Sequence, residues 1–393
     1  MNFINFPPTL TNYFFVILLI IVIGLVISIV FYPLLINFLT KRELGQNIRS
    51  DGPQSHLAKA KTPTMGGIIF IFITIYMSIA TCKFLQIDLL FLPWMLILGF
   101  ACGLIGFTDD LAKTLNKTNK GISGYIRLIL EGIIGMIASY YTVKTWNHSF
   151  DELVKNFTGY IFELKIPGSP LNHFPVISYI YSAFMQAACC NSINIHDGMD
   201  GLAAGTSSLS FMTMAFIFLM LGEIELAIIC ASLTGALLGF LMFNCHKAKI
   251  FMGDTGSLFI GGMFGLIIIS YQFNLMLIAL MIIPALETLS VIFQVLYFKA
   301  TKELNLNELP ANSLYFKLTE PLKKLYLLFY KMIKKIPGEG KRLFKMAPIH
   351  HHFEILLAPK FSEWQVVNIF WLCQLIICIG VLIFFNFSIG TIH

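Results

Sequence analysis

The stretch Asn191 to Gly205, NSINIHDGMDGLAAG, decides how the rest of the chain is read. Apolar runs flank it, Phe174 to Cys190 before and Leu202 to Leu221 after, each about long enough to cross a bilayer. Two carboxylates, two amides, a histidine and three glycines share these few positions. An ionisable group near the bilayer centre costs roughly 2.5–3.5 kcal/mol, so such groups persist for function or at the water boundary. Glycine lets the backbone come close to a ligand. A plain polar turn between two helices is the alternative reading, and the rest of the chain weighs against it.

Working outward, hydrophobic residues are 57% of the 393 and charged residues 12%, with a mean hydropathy of +0.77. A water-soluble core could not hide that much apolar surface, and long apolar runs recur throughout. The expected fold is an all-α polytopic membrane protein without the strand alternation of an outer-membrane barrel. About ten transmembrane helices are expected, near 12–36, 64–84, 89–107, 124–144, 174–190, 202–221, 225–243, 257–273, 275–298 and 365–388. The first run is too long for a signal-peptide core and has no basic leader, so it counts as a span. The eight cysteines show no metal-ligand spacing and read as small core residues.

Charge placement orients the spans. Lys41, Arg42, Arg49, Lys59, Lys61, Lys113, Lys117, Lys120, Arg127, Lys247 and Lys249 fall on one side, against Lys83, Lys144, Lys155 and Lys165 on the other. The positive-inside rule then puts the richer loops in the cytoplasm and both termini outside. No nucleic-acid partner is expected.

Five polar stretches fall on that cytoplasmic side. DGPQSHLAKAKTPTMGG (51–67) brings His56, Lys59 and Lys61 to the entry of the second span, where helix N–H groups and lysines suit an anion. GFTDD (106–110) opens the second cytoplasmic loop, directly at the end of the third span, with adjacent Asp109 and Asp110, followed by Lys113, Lys117, Lys120 and Arg127. Paired carboxylates suit Mg²⁺ or a general base, and the cations suit a phosphate; a DD helix cap is the plainer alternative. The third is the opening stretch. In the fourth, KIFMGDTGS (249–257), glycines flank Asp254, and Thr255 or Ser257 could cap the next helix. The fifth, APIHHHFE (347–354), carries three consecutive histidines. Their side chains diverge on a helix, so one metal would not take all three.

Pro284 should bend the ninth span, and Glu287 inside it is either functional or internally paired. Residues 145–173 could form a short hairpin. A transporter would place its polar groups near the midplane, in broken helices or repeats. Polar groups gathered on one face fit phosphoryl transfer instead, which relies on metal, cations and positioning.

At these residues the chain resembles the phospho-N-acetylmuramoyl-pentapeptide transferases, within the polyprenyl-phosphate N-acetylhexosamine-1-phosphate transferase superfamily. The resemblance covers roughly residues 41–388 and rests on DGPQSHLAKAKTPTMGG, GFTDD, NSINIHDGMDGLA, FMGDTGSL, ETLSVIFQV and APIHHHFE, in that order. It implies transfer of phospho-MurNAc-pentapeptide from UDP-MurNAc-pentapeptide to undecaprenyl phosphate, giving lipid I and UMP, with Mg²⁺ as cofactor. It also implies a ten-span homodimer in the bacterial cytoplasmic (inner) membrane. The HHHFE loop points to this member over siblings that use another UDP-N-acetylhexosamine.

Carried over by position, Asp254 corresponds to the Mg²⁺ ligand and Asp109 and Asp110 to the catalytic pair, with Asp109 the base for the lipid phosphate. Lys59, Lys113, Arg127, Asn191, Asp197, Gly198, Asp200, Asn244 and a uracil-stacking Phe251 would bind substrate. His350, His351 and His352 would meet the phosphosugar-peptide. The chain departs from the family at Lys61 (usually Gly), Leu111 (Tyr), His196 (Thr), Met199 (Leu) and Arg127 (Lys). Direct attack by the lipid phosphate and a covalent intermediate both stay open.

The chain otherwise reads as a single integral-membrane transferase domain, 1–393, with an insertion at about 300–340. Within it, Leu322 to Ile336 has the pattern of a basic amphipathic helix lying on the membrane surface. At about 100° per residue, Leu322, Leu325, Leu328, Phe329, Met332, Ile333 and Ile336 share one face. Lys323, Lys324, Lys331, Lys334 and Lys335 share the other, and Leu327 is the misfit.

Overall fold

The computed structural model describes residues 8–42, 62–116, 121–146, 175–271, 275–304, 313, 315, 319–334, 336 and 338–390. His56, Lys59, Lys61, Lys117, Lys120 and all but the first two residues of the hairpin expected at 145–173 lie outside the described residues; those two end α4. The described chain is helical: α1 Pro8–Lys41, α2 Gly67–Phe84, α3 Leu92–Leu115, α4 Gly124–Trp146, α5 Pro175–His196, α6 Leu202–Met220, α7 Ile224–Asn244, α8 Gly253–Ser270, α9 Leu275–Ala279, α10 Ile282–Ala300, α11 Glu320–Ile333, α12 Ile349–Leu357 and α13 Glu363–Gly390. It divides into two compact units, residues 1–284 with 367–393, and residues 285–366.

Eight described helices are long and apolar enough to cross a membrane: α1 (from Asn12), α2, α3, α6, α7, α8, α10 and α13 (to Phe387). The fourth and fifth expected spans fall on α4 and α5, of 23 and 22 residues. Those two are more polar, carrying Arg127, Glu131 and Lys144, and Gln186, Asn191, Asn194 and His196.

In the first unit α8 is the central post, packed by α2, α3, α4 and α5, while α7 is packed by α1, α2 and α6. The apolar stretch of α8 is 89% buried, against 28% for α1. Phe15, Leu19, Val22, Val26, Val30 and Leu34 of α1 are exposed instead, as befits a helix whose solvent is hydrocarbon. Glu225, at the start of α7, is an ionisable residue the apolar pattern hides. Its carboxylate accepts the backbone N–H groups of Leu90, Phe91 and Leu92 at 3.1, 2.9 and 2.7 Å, so it caps α3 from another helix.

Three expectations are corrected. GFTDD is not a loop, because α3 runs on to Leu115 and carries both aspartates on helix. The opening stretch is likewise mostly helical, as α5 continues through His196 and leaves only a short turn at 197–201. The ninth span is not one helix, since turn residues Leu280 and Met281 separate α9 from α10. Pro284 falls in the first turn of α10, where its missing N–H is not needed. The break frees the Leu280 carbonyl, which accepts Ser210 Oγ (3.1 Å) and Gln374 Nε2 (3.2 Å). A non-helical carbonyl at membrane depth requires such partners.

In the second unit Glu287 is internally paired. Its Oε2 meets His350 Nδ1 at 3.0 Å and accepts the His350 backbone N–H at 3.2 Å, both residues being buried. Gln294, from the same motif, accepts the N–H groups of Leu343 and Phe344 at 3.0 and 2.9 Å. This part of α10 thus holds the segment that leads into α12.

Candidate active site

The site forms where the C-terminal end of α3 meets the N-terminus of α8. Gly106 lets the two backbones touch: a Cβ there would fall on the Asp254 carbonyl. Gly253 has φ +73°, a left-handed backbone that suits glycine, and it opens α8 beside the Asp110 carboxylate. No side chain of α8 caps its own N-terminus. Asp110 does so from α3, accepting the Asp254 N–H at 3.1 Å, the Thr255 N–H at 2.9 Å and the Thr255 hydroxyl at 2.7 Å. Capping by Thr255 or Ser257 is therefore corrected; Thr255 donates to Asp110, and Ser257 Oγ accepts from Asn194 Nδ2 at 2.9 Å.

Asp109, one residue earlier, turns elsewhere. Its Oδ1 accepts the Ile122 N–H at 2.5 Å and its Oδ2 meets Lys113 Nζ at 2.6 Å. The same ammonium lies 2.7 Å from Asp254 Oδ2. Arg127 Nη1 reaches that oxygen at 3.5 Å, and Asn194 Nδ2 donates to Asp254 Oδ1 at 2.7 Å. Two carboxylates from different helices therefore share one cation, with a guanidinium close by.

Arg127 is itself held. Its Nη2 donates to Asn191 Oδ1 at 2.8 Å, its Nε lies 3.6 Å from Glu131 Oε1, and Asn191 Nδ2 donates to Glu131 Oε2 at 2.6 Å. Sequence reasoning missed Asn194 and Glu131. Helical spacing could have found both, as Asn194 follows Asn191 by three residues and Glu131 follows Arg127 by four.

The other candidates divide into two groups. Asp197 and Gly198 stand half-buried in the turn after α5. Burial, then the nearby carboxylates of Asp254, Asp110 and Asp200, hold the Asp197 carboxyl well above the ordinary carboxylate range. Asn244 and Asp200 are buried ties between that turn and the loop before α8. Asn244 Oδ1 accepts the Gly201 N–H (3.0 Å), its Nδ2 donates to the Ile250 carbonyl (2.9 Å), and Asp200 Oδ2 accepts the Ala248 N–H (3.1 Å). Trp371 Nε1 secures the Gly201 carbonyl at 3.1 Å, and His196 Nε2 meets Thr206 Oγ1 at 3.0 Å. Phe251 keeps a half-buried ring on a backbone fixed at both ends: its N–H donates to the Pro63 carbonyl and its carbonyl accepts the Gly66 N–H, each at 2.8 Å.

The three histidines belong to the second unit, on α12. Their rings go to three partners: His350 to Glu287, His351 Nδ1 to Glu354 Oε2 at 3.0 Å, and His352 Nδ1 to the Lys345 N–H at 3.1 Å.

No group of three or more His, Cys, Asp or Glu among the described residues stands ready to hold a metal. The donor chemistry nevertheless fits Mg²⁺, since Asp109 and Asp254 aim hard oxygens at a single cation, the Lys113 ammonium. Mg²⁺ sites commonly use one or two carboxylates, with water and substrate phosphates completing the shell.

Comparison with known proteins identifies the family. The Glycosyl transferase family 4 model matches residues 92–272, and the phospho-N-acetylmuramoyl-pentapeptide-transferase signature 1 matches residues 59–71. The phospho-N-acetylmuramoyl-pentapeptide-transferase of Bacillus subtilis is 35% identical over 369 residues, covering 93% of this chain and 96% of its own length. That of Staphylococcus aureus is 36% identical over 355 residues, covering 90% and 94%. That of Bacillus licheniformis is 34% identical over 367 residues, covering 93% and 96%. Along nearly its whole length, then, the chain belongs to the phospho-N-acetylmuramoyl-pentapeptide-transferase family.

Proposed function

We propose that the chain transfers phospho-MurNAc-pentapeptide from UDP-MurNAc-pentapeptide to undecaprenyl phosphate, releasing UMP and forming lipid I for peptidoglycan synthesis. The observation that carries this reading is the Lys113 ammonium held between Asp109 and Asp254, from two helices, at 2.6 and 2.7 Å. Such a site offers a base, a cation ligand and fixed positive charge gathered around one ammonium, the parts phosphoryl transfer uses.

In this reading Asp109 takes the proton of the undecaprenyl phosphate. An oxygen of that phosphate bonds to the sugar-side phosphorus, and the phosphorus–oxygen bond to UMP breaks. Asp254 would hold Mg²⁺, whose charge offsets that of the diphosphate. Lys113 and Arg127 stabilise negative charge growing on the leaving UMP. Asp110 acts through backbone, fixing the turn that presents Asp254. Asn191 and Glu131 orient Arg127, while Asn194 steadies Asp254. Asp197, Gly198 and Phe251 line the nucleotide side, with Asp200 and Asn244 shaping it from behind; Lys59 would add charge to the diphosphate. His351 and His352 would serve the phosphosugar-peptide, while His350, buried against Glu287, would hold the helix that carries them.

The reading includes ten spans in the bacterial cytoplasmic membrane, both termini outside, the site on the cytoplasmic face, and a homodimer. It treats residues 1–393 as one transferase domain with an insertion near 300–340. Purified protein given undecaprenyl phosphate, Mg²⁺ and a panel of radiolabelled UDP-sugars tests it. Lipid I from UDP-MurNAc-pentapeptide is the expected product. Product only from another UDP-N-acetylhexosamine would move the chain to a sibling activity, and no product from any donor would overturn the enzyme reading.

A further inference from the structure

The insertion contains a helix built the reverse of an ordinary surface helix. Leu322, Leu325, Leu328, Phe329 and Ile333 of α11 are all exposed, Phe329 at 58% and Ile333 at 78%. The half-buried side chains of the same helix are Lys323, Tyr326, Leu327, Tyr330 and Lys331. The helix thus packs on its own unit through its tyrosines, two lysines and Leu327, and turns Leu322, Leu325 and Leu328 outward.

Its attachment fixes where that apolar face sits. Lys331 leaves the polar face expected from the sequence and donates to the carbonyls of Ala300 and Lys302, at 3.2 and 2.5 Å. Ala300 is the last residue of α10, one of the helices long and apolar enough to cross a membrane, and Lys302 lies two residues beyond it. Lys302 returns the tie, its Nζ donating to the Ile336 carbonyl at 2.7 Å. Tyr326 adds a contact of its hydroxyl with Ser313 Oγ at 3.0 Å. The last turn of α11 is therefore bound to the point where a membrane helix ends.

Charge selects the occupant. From the start of α11 at 320 to 345 the chain carries Lys323, Lys324, Lys331, Lys334, Lys335, Lys341, Arg342 and Lys345 against Glu320 and Glu339. Lys324, Lys334, Lys341, Arg342 and Lys345 are exposed. An outward apolar face with lysines beside it, set at the end of a spanning helix, matches an anionic lipid surface. We propose that α11 docks on the anionic leaflet at the end of α10, its Leu322–Leu325–Leu328–Phe329–Ile333 face embedded among the acyl chains. The docking is independent of the chemistry assigned to the first unit.

Spin labels on cysteines placed one at a time at Phe329, Leu325 and Lys324 test this in the full-length protein, with Cys373, the exposed native cysteine, changed to serine. The replaced side chains at 324, 325 and 329 are exposed, so folding should be preserved. In phosphatidylcholine vesicles containing phosphatidylglycerol, labels at 329 and 325 should collide several-fold more with oxygen than with a nickel chelate. The label at 324 should do the reverse. Omitting phosphatidylglycerol, or combining Lys324→Glu with Lys334→Glu in the Phe329 label background, should shrink that contrast. A label at 329 as open to the nickel chelate as one at 324 would overturn the proposal. So would shielding of 329 from both reagents, which would mean a protein or a second copy covers the face. A contrast indifferent to phosphatidylglycerol would overturn the choice of an anionic leaflet.

Discussion

Asp110 and Thr255 are joined twice: one carboxylate oxygen of Asp110 accepts both the backbone N–H and the hydroxyl of Thr255, at 2.9 and 2.7 Å. The other oxygen accepts the Asp254 N–H. Adjacent aspartates thus divide the labour, Asp110 holding backbone and Asp109 facing the cation. Asp110→Ala should destabilise the protein by about 2 kcal/mol or more, since it leaves buried N–H groups without their acceptor. Activity should fall with stability, and Asp110→Asn should restore part of both. Asp109→Asn should instead lower kcat by roughly 10²–10⁴ with little change in the unfolding temperature, as expected for loss of a general base. Thermal unfolding in detergent beside steady-state kinetics distinguishes them; equal loss of stability in Asp109→Asn would contradict the division.

Asp254→Asn should abolish turnover, because it removes the charged oxygen shared by Lys113 and Arg127 and proposed for Mg²⁺. Raising Mg²⁺ should not rescue it. Retention of more than about a tenth of the activity, a barrier change of only ~1.4 kcal/mol, would rule out that role.

Phe251→Ala should raise KM for the UDP substrate about tenfold and leave kcat nearly unchanged. Stacking on a base is worth roughly 1–3 kcal/mol and lies away from the reacting phosphorus. The backbone on each side stays pinned to Pro63 and Gly66, so truncating the ring should not move Asp254. A collapsed kcat with unchanged KM would remove Phe251 from the nucleotide side.

The polar groups of this site were legible in the sequence because they interrupt apolar runs, and most of the helices were legible from the runs themselves. Their division of roles was not. A helix cap was weighed for the aspartate pair, but Asp110 caps α8, whose N-terminus lies more than a hundred residues further on. Glu225 does the same for α3. Such caps depend on which helices touch, and a local pattern does not carry that. The break at Leu280 was hidden for the same reason, since the residues that satisfy its carbonyl, Ser210 and Gln374, come from α6 and α13. The pairing of Glu287 with His350 likewise needed the fold to bring positions 63 residues apart into contact.

Arg127→Lys should reduce kcat/KM about tenfold. The guanidinium meets Asn191, Glu131 and Asp254 at once, and a lysine ammonium cannot present that planar fork. Glu131→Gln should weaken the same arrangement by loosening Arg127, with a smaller effect in an Arg127→Lys background than alone. Additive losses in a double-mutant cycle would show that Glu131 does not act through Arg127.

Gly106→Ala should cost both stability and activity, although it adds one methyl group to a helix where alanine is intrinsically favoured. The new Cβ would fall on the Asp254 carbonyl and stand 2.6 Å from the Thr255 nitrogen. These are backbone atoms at the first turn of α8, which is packed on several sides, so they cannot swing away as a flexible side chain would. The α8 N-terminus would have to shift, lengthening the Asp110 cap bonds and moving Asp254 off the Lys113 ammonium. Overpacking of this kind typically costs about 1–3 kcal/mol. Gly124→Ala is the matching control: nothing lies within 4 Å of its added Cβ. It should be close to neutral, since Gly124 is the first residue of α4 and its added methyl meets nothing. Unfolding temperature and turnover measured on both variants check the contrast, and a Gly106→Ala enzyme as active as Gly124→Ala would mean that α3 and α8 do not need this close approach.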